Sequence, residues 1–314
     1  MDKPAAVAGE RLTQIVATKA TELLVFTCSG VMQETTGWRP HDLPSWPKSD
    51  KTFRVLLLLG NFMHFANDGV FNFWADVISG PWDHYVYVPG LRDYGGGGTL
   101  QLGDDFLGIL SQWGLDYNLT VFATHCKTRA LFFTGPNVFM AGAPLFPITT
   151  GPYFDAAIYA CWNDESSLEA VTKHHAVSIA SAKQRRDLDV QSLLRSFETV
   201  ESDFGPASPA RQSGLVEREL GPATLVIVSH SSPDEMAASG REAHPFASVC
   251  KLGTRRTYEQ FAGLGLRYWF CGAPLDLPIM TMRDCPTKLV SNTMVLGNRE
   301  MTTKEPVIIT RNLQ

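Results

Sequence analysis

No stretch of this 314-residue sequence reaches 18 consecutive apolar residues, so no membrane-spanning helix is expected. Charge is also sparse: Asp, Glu, Lys and Arg make up 19% and the net charge is −5. The basic residues are scattered, and the one compact cluster, Lys183-Gln184-Arg185-Arg186, reads as a solvated helix face. Nucleic acid is therefore not expected as a primary contact. The six cysteines (Cys28, Cys126, Cys161, Cys250, Cys271 and Cys285) never form C-x-x-C. Several sit in apolar runs, so they read as buried free thiols in a reducing compartment, not as a disulfide frame or a zinc site. A G-x-S-x-G elbow and a G-K-[ST] phosphate loop are both missing, and Gly95 to Gly98 read as a flexible turn. The first 22 residues have no apolar h-region of a secretory signal. An intracellular protein is expected, of the cytoplasm, cytoskeleton or cilium. The Ala- and Thr-rich start leaves a mitochondrial presequence as the other reading.

Apolar residues make up 44%, an ordinary globular proportion for a chain this long. Residues 5–22 read as an amphipathic helical extension, and residues 23–314 as a single domain. ELLVFTC, FRVLLLLG and HYVYVPG are apolar on both faces, the mark of parallel strands covered on both sides. FNFWADVISG between the last two reads as a crossover helix, giving a βαβ unit. LTVFATH, ALFFTG and VFMAGAP follow as short strands, expected antiparallel. A helical region spans 154–199, TLVIVSH and LRYWFCG are further buried strands, and PVIITR closes the chain. Polar, Pro-rich loop insertions are expected at 31–52 and 200–223. This pattern predicts an α/β fold, a four-layer α/β/β/α sandwich of two mixed β-sheets flanked by helices.

Several strand ends carry matching text in order: LLLLGN at 56–61, YVPGLRDYG at 87–95, VIVSHSSP at 226–233 and WFCGAPL at 269–275. This ordered set resembles the calcineurin-like metallophosphoesterases, whose motifs run D-x-H, G-D, G-N-H-E, a lone His and G-H-x-H. The resemblance spans residues 23 to about 311 and implies the same sandwich. In that family two divalent cations, about 3.5–4 Å apart, polarise the phosphoryl group and supply a hydroxide nucleophile. Such cations need anionic oxygen and imidazole ligands.

Position by position, this chain has replaced those ligands. Cys28 and Gly30 stand for the first Asp and His, and Asn61 for the bridging Asp. Leu91 and Arg92 stand for the Asn and His of the third motif, with Asp93 for its Glu. His230 is kept, whereas Ala273 and Leu275 replace the last two histidines. No carboxylate remains at a direct ligand position, and Arg92 brings a fixed positive charge to where cations would sit. The resemblance thus implies a degenerate member, a pseudo-phosphoesterase with no cofactor and no catalytic residue. Its alternative is a working phosphoesterase that binds Mn or Mg through His230, Asn61 and Asp93, with His64 or Asp68 as a further ligand. A third reading is a phosphate- or nucleotide-binding sensor using Arg92.

The bland readings are kept beside these. His230 reads foremost as a core histidine, Asn61 as a turn or cap residue, and Asp93 as an ion-pair partner of Arg92. His174-His175 has no acidic or Cys partner at ligand spacing, and Cys28 has no dedicated base. Trp38 and Trp46, in a Pro-rich loop, are candidates for docking a partner or for packing over the sheet edge. The expected role is a structural subunit of a large assembly, with other protein subunits as partners.

Overall fold

The structure is a computed structural model that describes residues 13–29, 46–94, 100–145, 179–204, 212, 214, 221–231, 261, 264–272, 279–281, 286–291 and 305–311. Five strands form one sheet: β2 (Glu22–Cys28), β3 (Thr52–Leu58), β4 (His84–Tyr87), β5 (Leu119–Val121) and β12 (Val307–Thr310). Their order is β12-β2-β3-β4-β5, with β12 antiparallel to β2 and the rest parallel. The other sheet has seven strands: β1 (Thr13–Val16), β6 (Ala130–Phe133), β7 (Val138–Ala143), β8 (Thr224–Ser229), β9 (Tyr268–Cys271), β10 (Ile279–Thr281) and β11 (Lys288–Val290). Its order is β1-β6-β7-β8-β9-β11-β10, antiparallel at β6–β7 and β10–β11 and parallel elsewhere.

Period-2 alternation explains the layers. Leu23, Val25, Val55 and Leu57 turn to the facing sheet and meet Met140, Val226, Val228 and Phe270. Their strand neighbours Phe26, Leu56 and Leu58 point the other way, toward helices α1 (Val70–Ile78) and α2 (Leu100–Gly114). On the far side, Phe132, Phe139 and Trp269 pack against Leu193 and Phe197 of α3 (Ile179–Phe204). Both faces of the inner strands are therefore covered, which is why those strands read as apolar runs, whereas the edge strand β12 alternates buried and exposed residues. The expected four-layer sandwich of two mixed sheets is what forms.

Several element assignments change. Thr13–Val16 is a strand paired in parallel with β6, not part of a helix, and residues 13–22 belong to the domain. Ile15 and Val16 pack into different core layers, an alternation only a strand gives. β5 joins β4 in parallel instead of forming an antiparallel set with β6 and β7. Helix α2 was not expected, because its three glycines, Gly103, Gly108 and the terminal Gly114, weaken the helical signal. Residues 200–204 continue α3, and Thr52 opens β3, so both loop insertions are shorter than expected. Residues 154–178 and His174-His175 lie outside the described residues.

Candidate active site

All the parallel strands of the five-stranded sheet end at one edge, as do β7, β8 and β9 of the other. At this edge the two sheets touch. The His230 Nδ1–H, just after β8, donates to the Leu59 carbonyl, just after β3, at 2.7 Å. A carbonyl can only accept, so the ring proton sits on Nδ1 and Nε2 carries the lone pair. Burial holds the His230 pKa below its ordinary value, although the Leu59 bond and the Asp93 charge pull the other way. The Ser29 hydroxyl donates to the Gly272 carbonyl at 3.0 Å and closes a second link between the sheets.

Asp93 lies in a 3-10 turn, Leu91–Tyr94, directly after β4, and is fully buried. Its Oδ2 accepts from the amides of Asn61 at 2.9 Å and Gly90 at 2.7 Å, and from the Tyr87 hydroxyl at 2.8 Å. Its Oδ1 accepts from the amides of Phe62 at 2.7 Å and Met63 at 3.3 Å. Its carbonyl accepts from the Phe65 amide at 2.7 Å. One carboxylate thus binds the loop after β3 to the loop after β4. Burial and the Asp93 charge push the Tyr87 hydroxyl well above its ordinary pKa, so it stays a donor. The predicted Asp93 partner was Arg92, whose side chain lies outside the described residues along with that of Leu91. The charge of Asp93 is instead met by backbone amides and a tyrosine.

Two glycines let these loops close. Gly60 has φ of +84°, and a Cβ there would lie 2.4 Å from the Gly90 nitrogen and 2.6 Å from His230 Nδ1. A Cβ on Gly90 would lie 2.4 Å from Asn61 Oδ1. Asn61 itself adopts the left-handed region, φ 62°, which Asn tolerates better than most residues. It is a turn residue whose amide is spent on Asp93. Cys28 ends β2, is buried, and its thiol is pushed up to about 12 by burial, against a smaller opposing effect of the Ser29 backbone. That makes it an inert core residue and not a nucleophile.

The structure therefore brings Asn61, Asp93 and His230 together, with Cys28 beside them on the neighbouring strand end. Gly30, Ala273, Leu275 and Trp38 lie outside the described residues. His64 and Asp68 lie further along the same loop, Asp68 exposed to solvent. Trp46 is partly buried, 4.9 Å from Phe26 and 5.6 Å from Trp82 ring to ring, in keeping with the packing alternative of the two kept for it. Among the described residues, no three His, Cys, Asp or Glu side chains are grouped to hold a metal ion. Sequence reasoning missed Tyr87, Ser29 and Gly272. Only Tyr87 left a signal, since a Tyr hydroxyl in a strand buried on both faces needs a partner.

Beside this edge lies a second polar cluster, which corrects the reading of Arg185 and Arg186 as part of a solvated helix face: Arg185 is largely buried and Arg186 almost fully so. Arg185 of α3 makes a two-pronged pair with Asp104 of α2, and its Nη1 is 2.8 Å from Oδ1. The same guanidinium lies 6.0 Å from the centre of the Tyr94 ring. Asp189, fully buried, accepts from the Leu145 amide at 3.3 Å. Burial holds its carboxyl up at about 6, although Arg129 and Arg185 oppose the shift.

No protein-family model matches the chain, and no curated protein matches it. Among solved structures it is similar to the crystal structure of phosphopantetheinyl hydrolase from Mycobacterium tuberculosis, with a TM-score of 0.56 and 12% identity. The match covers 92% of this chain and 96% of that one. The fold is metallophosphoesterase-like. The strand ends that carry Cys28, Asn61, Asp93 and His230 meet at one edge, while a 12% identity carries the fold and nothing of the chemistry. Asp93, Asn61 and His230 could offer a cation one anionic oxygen, one amide oxygen and one imidazole nitrogen. The fit is poor, because Asp93, the one carboxylate of these three residues, already accepts five hydrogen bonds.

Proposed function

We propose that this chain is a catalytically inactive phosphoesterase-fold protein that serves as a structural subunit of a larger protein assembly. The observation that carries this reading is the state of Asp93. A carboxylate offers about four lone-pair positions, and five donors already occupy those of Asp93. A cation could take an oxygen only by stripping away buried amide bonds, each costing about 1–3 kcal/mol if left unsatisfied. The sequence supplies no other carboxylate at the motif positions, since Cys28, Asn61, Ala273 and Leu275 cannot replace the lost charge. Two-metal activation of water therefore has no scaffold.

The test is elemental analysis of the purified protein together with turnover of a generic phosphodiester in Mn²⁺. The expected result is less than one bound transition metal per chain and no turnover. Two bound divalent ions per chain, or turnover abolished by His230→Ala, would overturn it. One observation favours the second reading, a hydrolase with non-standard ligands. His230 donates through Nδ1 to a carbonyl, the same orientation that metal-ligating histidines adopt. The sensor reading rests on Arg92 and would appear as thermal stabilisation by inorganic phosphate or nucleotides.

A further inference from the structure

Residues 61–118 build α1, α2 and their loops, and they are chemically one-sided. They contain seven aspartates, one arginine and no lysine or glutamate. Three of the aspartates are engaged internally: Asp83 with Arg54, Asp93 in its clamp and Asp104 with Arg185. The other four, Asp68, Asp76, Asp105 and Asp116, are exposed.

Between them lies apolar surface. Leu102, Ile109 and Trp113 fall on one face of α2 at spacings of seven and four. Ile109 is 56% exposed, and Phe71 of α1 is 46% exposed with its ring tilted against that of Phe106 of α2, 5.2 Å away. These side chains leave exposed apolar surface on both helices beside the Phe71–Phe106 contact. By helical periodicity, Asp76 lies on the flank of α1 turned away from α2, and Asp105 on the flank of α2 turned away from α1. Asp68 precedes α1 and Asp116 follows α2, so acidic groups stand at both flanks and both ends.

We propose that this surface of α1 and α2 docks an amphipathic helix of a partner protein, apolar on its docked face and rich in Lys and Arg on its shoulders. The inference rests on the structural-subunit reading and names the class of partner. An apolar floor takes residues spaced i, i+3, i+4 and i+7, and α2, about 22 Å long, has room for roughly four turns. The acidic rim selects the charge of the shoulders and repels nucleic acid. It also disfavours a second copy of this chain, because a two-fold contact through this surface would set aspartates against aspartates.

Two synthetic helices of equal length, with Leu at i, i+3, i+4 and i+7 and either Lys or Glu elsewhere, provide the test. Each is titrated into the full chain by fluorescence anisotropy. The Lys helix is expected to bind and the Glu helix not. Ile109→Asp should weaken the Lys helix about tenfold or more, as loss of a central anchor does. The exposed-charge variant Asp105→Lys with Asp116→Lys should weaken it too, and added salt should reproduce that loss. Equal binding of both helices, undiminished affinity in both variants, or a dimer on size exclusion that occludes this surface would each overturn the proposal. A protein that binds the Lys helix yet holds two metals and turns over keeps the docking surface and loses the subunit reading. A metal-free, inert protein that ignores the helix loses only the docking surface.

Discussion

At Asp93 five donors converge on one carboxylate: three amides of the loop after β3, 30 to 32 residues earlier in the chain, and the nearby Tyr87 hydroxyl and Gly90 amide. The amides of Asn61, Phe62 and Met63 all point inward because the loop after β3 turns through the left-handed region at Gly60 and Asn61. Replacing one oxygen by an amide group sets N–H against N–H. Asp93→Asn should therefore cost about 3 kcal/mol or more, read as a lower urea midpoint with an unchanged slope. A smaller loss would mean that the clamp is not what joins the two loops. His84 makes a second residue-scale case. It is buried with Nε2 3.0 Å from the Thr120 hydroxyl, and burial lowers its pKa from 6.5 to about 4. Protonation is thus harder in the folded state than in the unfolded one. The resulting stability is present above about 6.5 and is lost as pH falls toward about 4. His84→Gln, an uncharged replacement, should flatten this acid limb of the stability–pH curve, and an unchanged limb would assign it elsewhere.

Among elements, α3 has the most unusual anchoring. It covers the seven-stranded sheet with apolar side chains such as Phe197 and Phe204, the latter stacked 4.2 Å from Phe132. Yet its first half carries Arg185, Arg186 and Asp189 into partly or wholly buried positions, where they reach α2 and the end of β7. The sign of the Asp189 shift is opposite to that of a salt-bridged carboxylate. Its folded pKa is raised from 3.8 to about 6, so its contribution is best below 3.8 and declines as pH rises through about 6. The stability difference between wild type and Asp189→Asn should therefore move in favour of the variant between pH 4 and pH 7. A shift of roughly two units corresponds to about 3 kcal/mol at most. A difference that stays constant across that range would show that Asp189 is not held up by burial.

At the scale of the whole molecule, the layer between the two sheets joins them into one cooperative body. Leu57, Val86, Phe133 and Val228 are fully buried there, each contributed by a different strand. Leu57→Ala should cost about 2–5 kcal/mol and leave unfolding a single transition by both far-UV and tryptophan signals. Two separated transitions would mean that the sheets unfold independently. A two-sheet body whose edge carboxylate Asp93 is taken up by five internal donors, with exposed aspartates and apolar side chains on α1 and α2, is suited to being held in place by neighbours. That is the physical content of the subunit proposal.

Much of this was legible from residues. Strands buried on both faces show as unbroken apolar runs, and FRVLLLLG and TLVIVSH appear at β3 and β8 where periodicity placed them. Even there Arg54 sits within β3, sheltered by a two-pronged pair with Asp83 that no local pattern announces. The missing ligands were also plain, because charge is a property of composition and needs no coordinates. Strand β1, the parallel place of β5 beside β4 and a Gly-containing α2 were not legible, since strand partners and helix packing are chosen by contacts far along the chain. The same holds for the site. The sequence by itself determined that the old ligand positions lack negative oxygens. Only the tertiary structure decided that the remaining carboxylate, Asp93, is enclosed by amides of a distant loop, because hydrogen-bond saturation depends on which backbones meet in space.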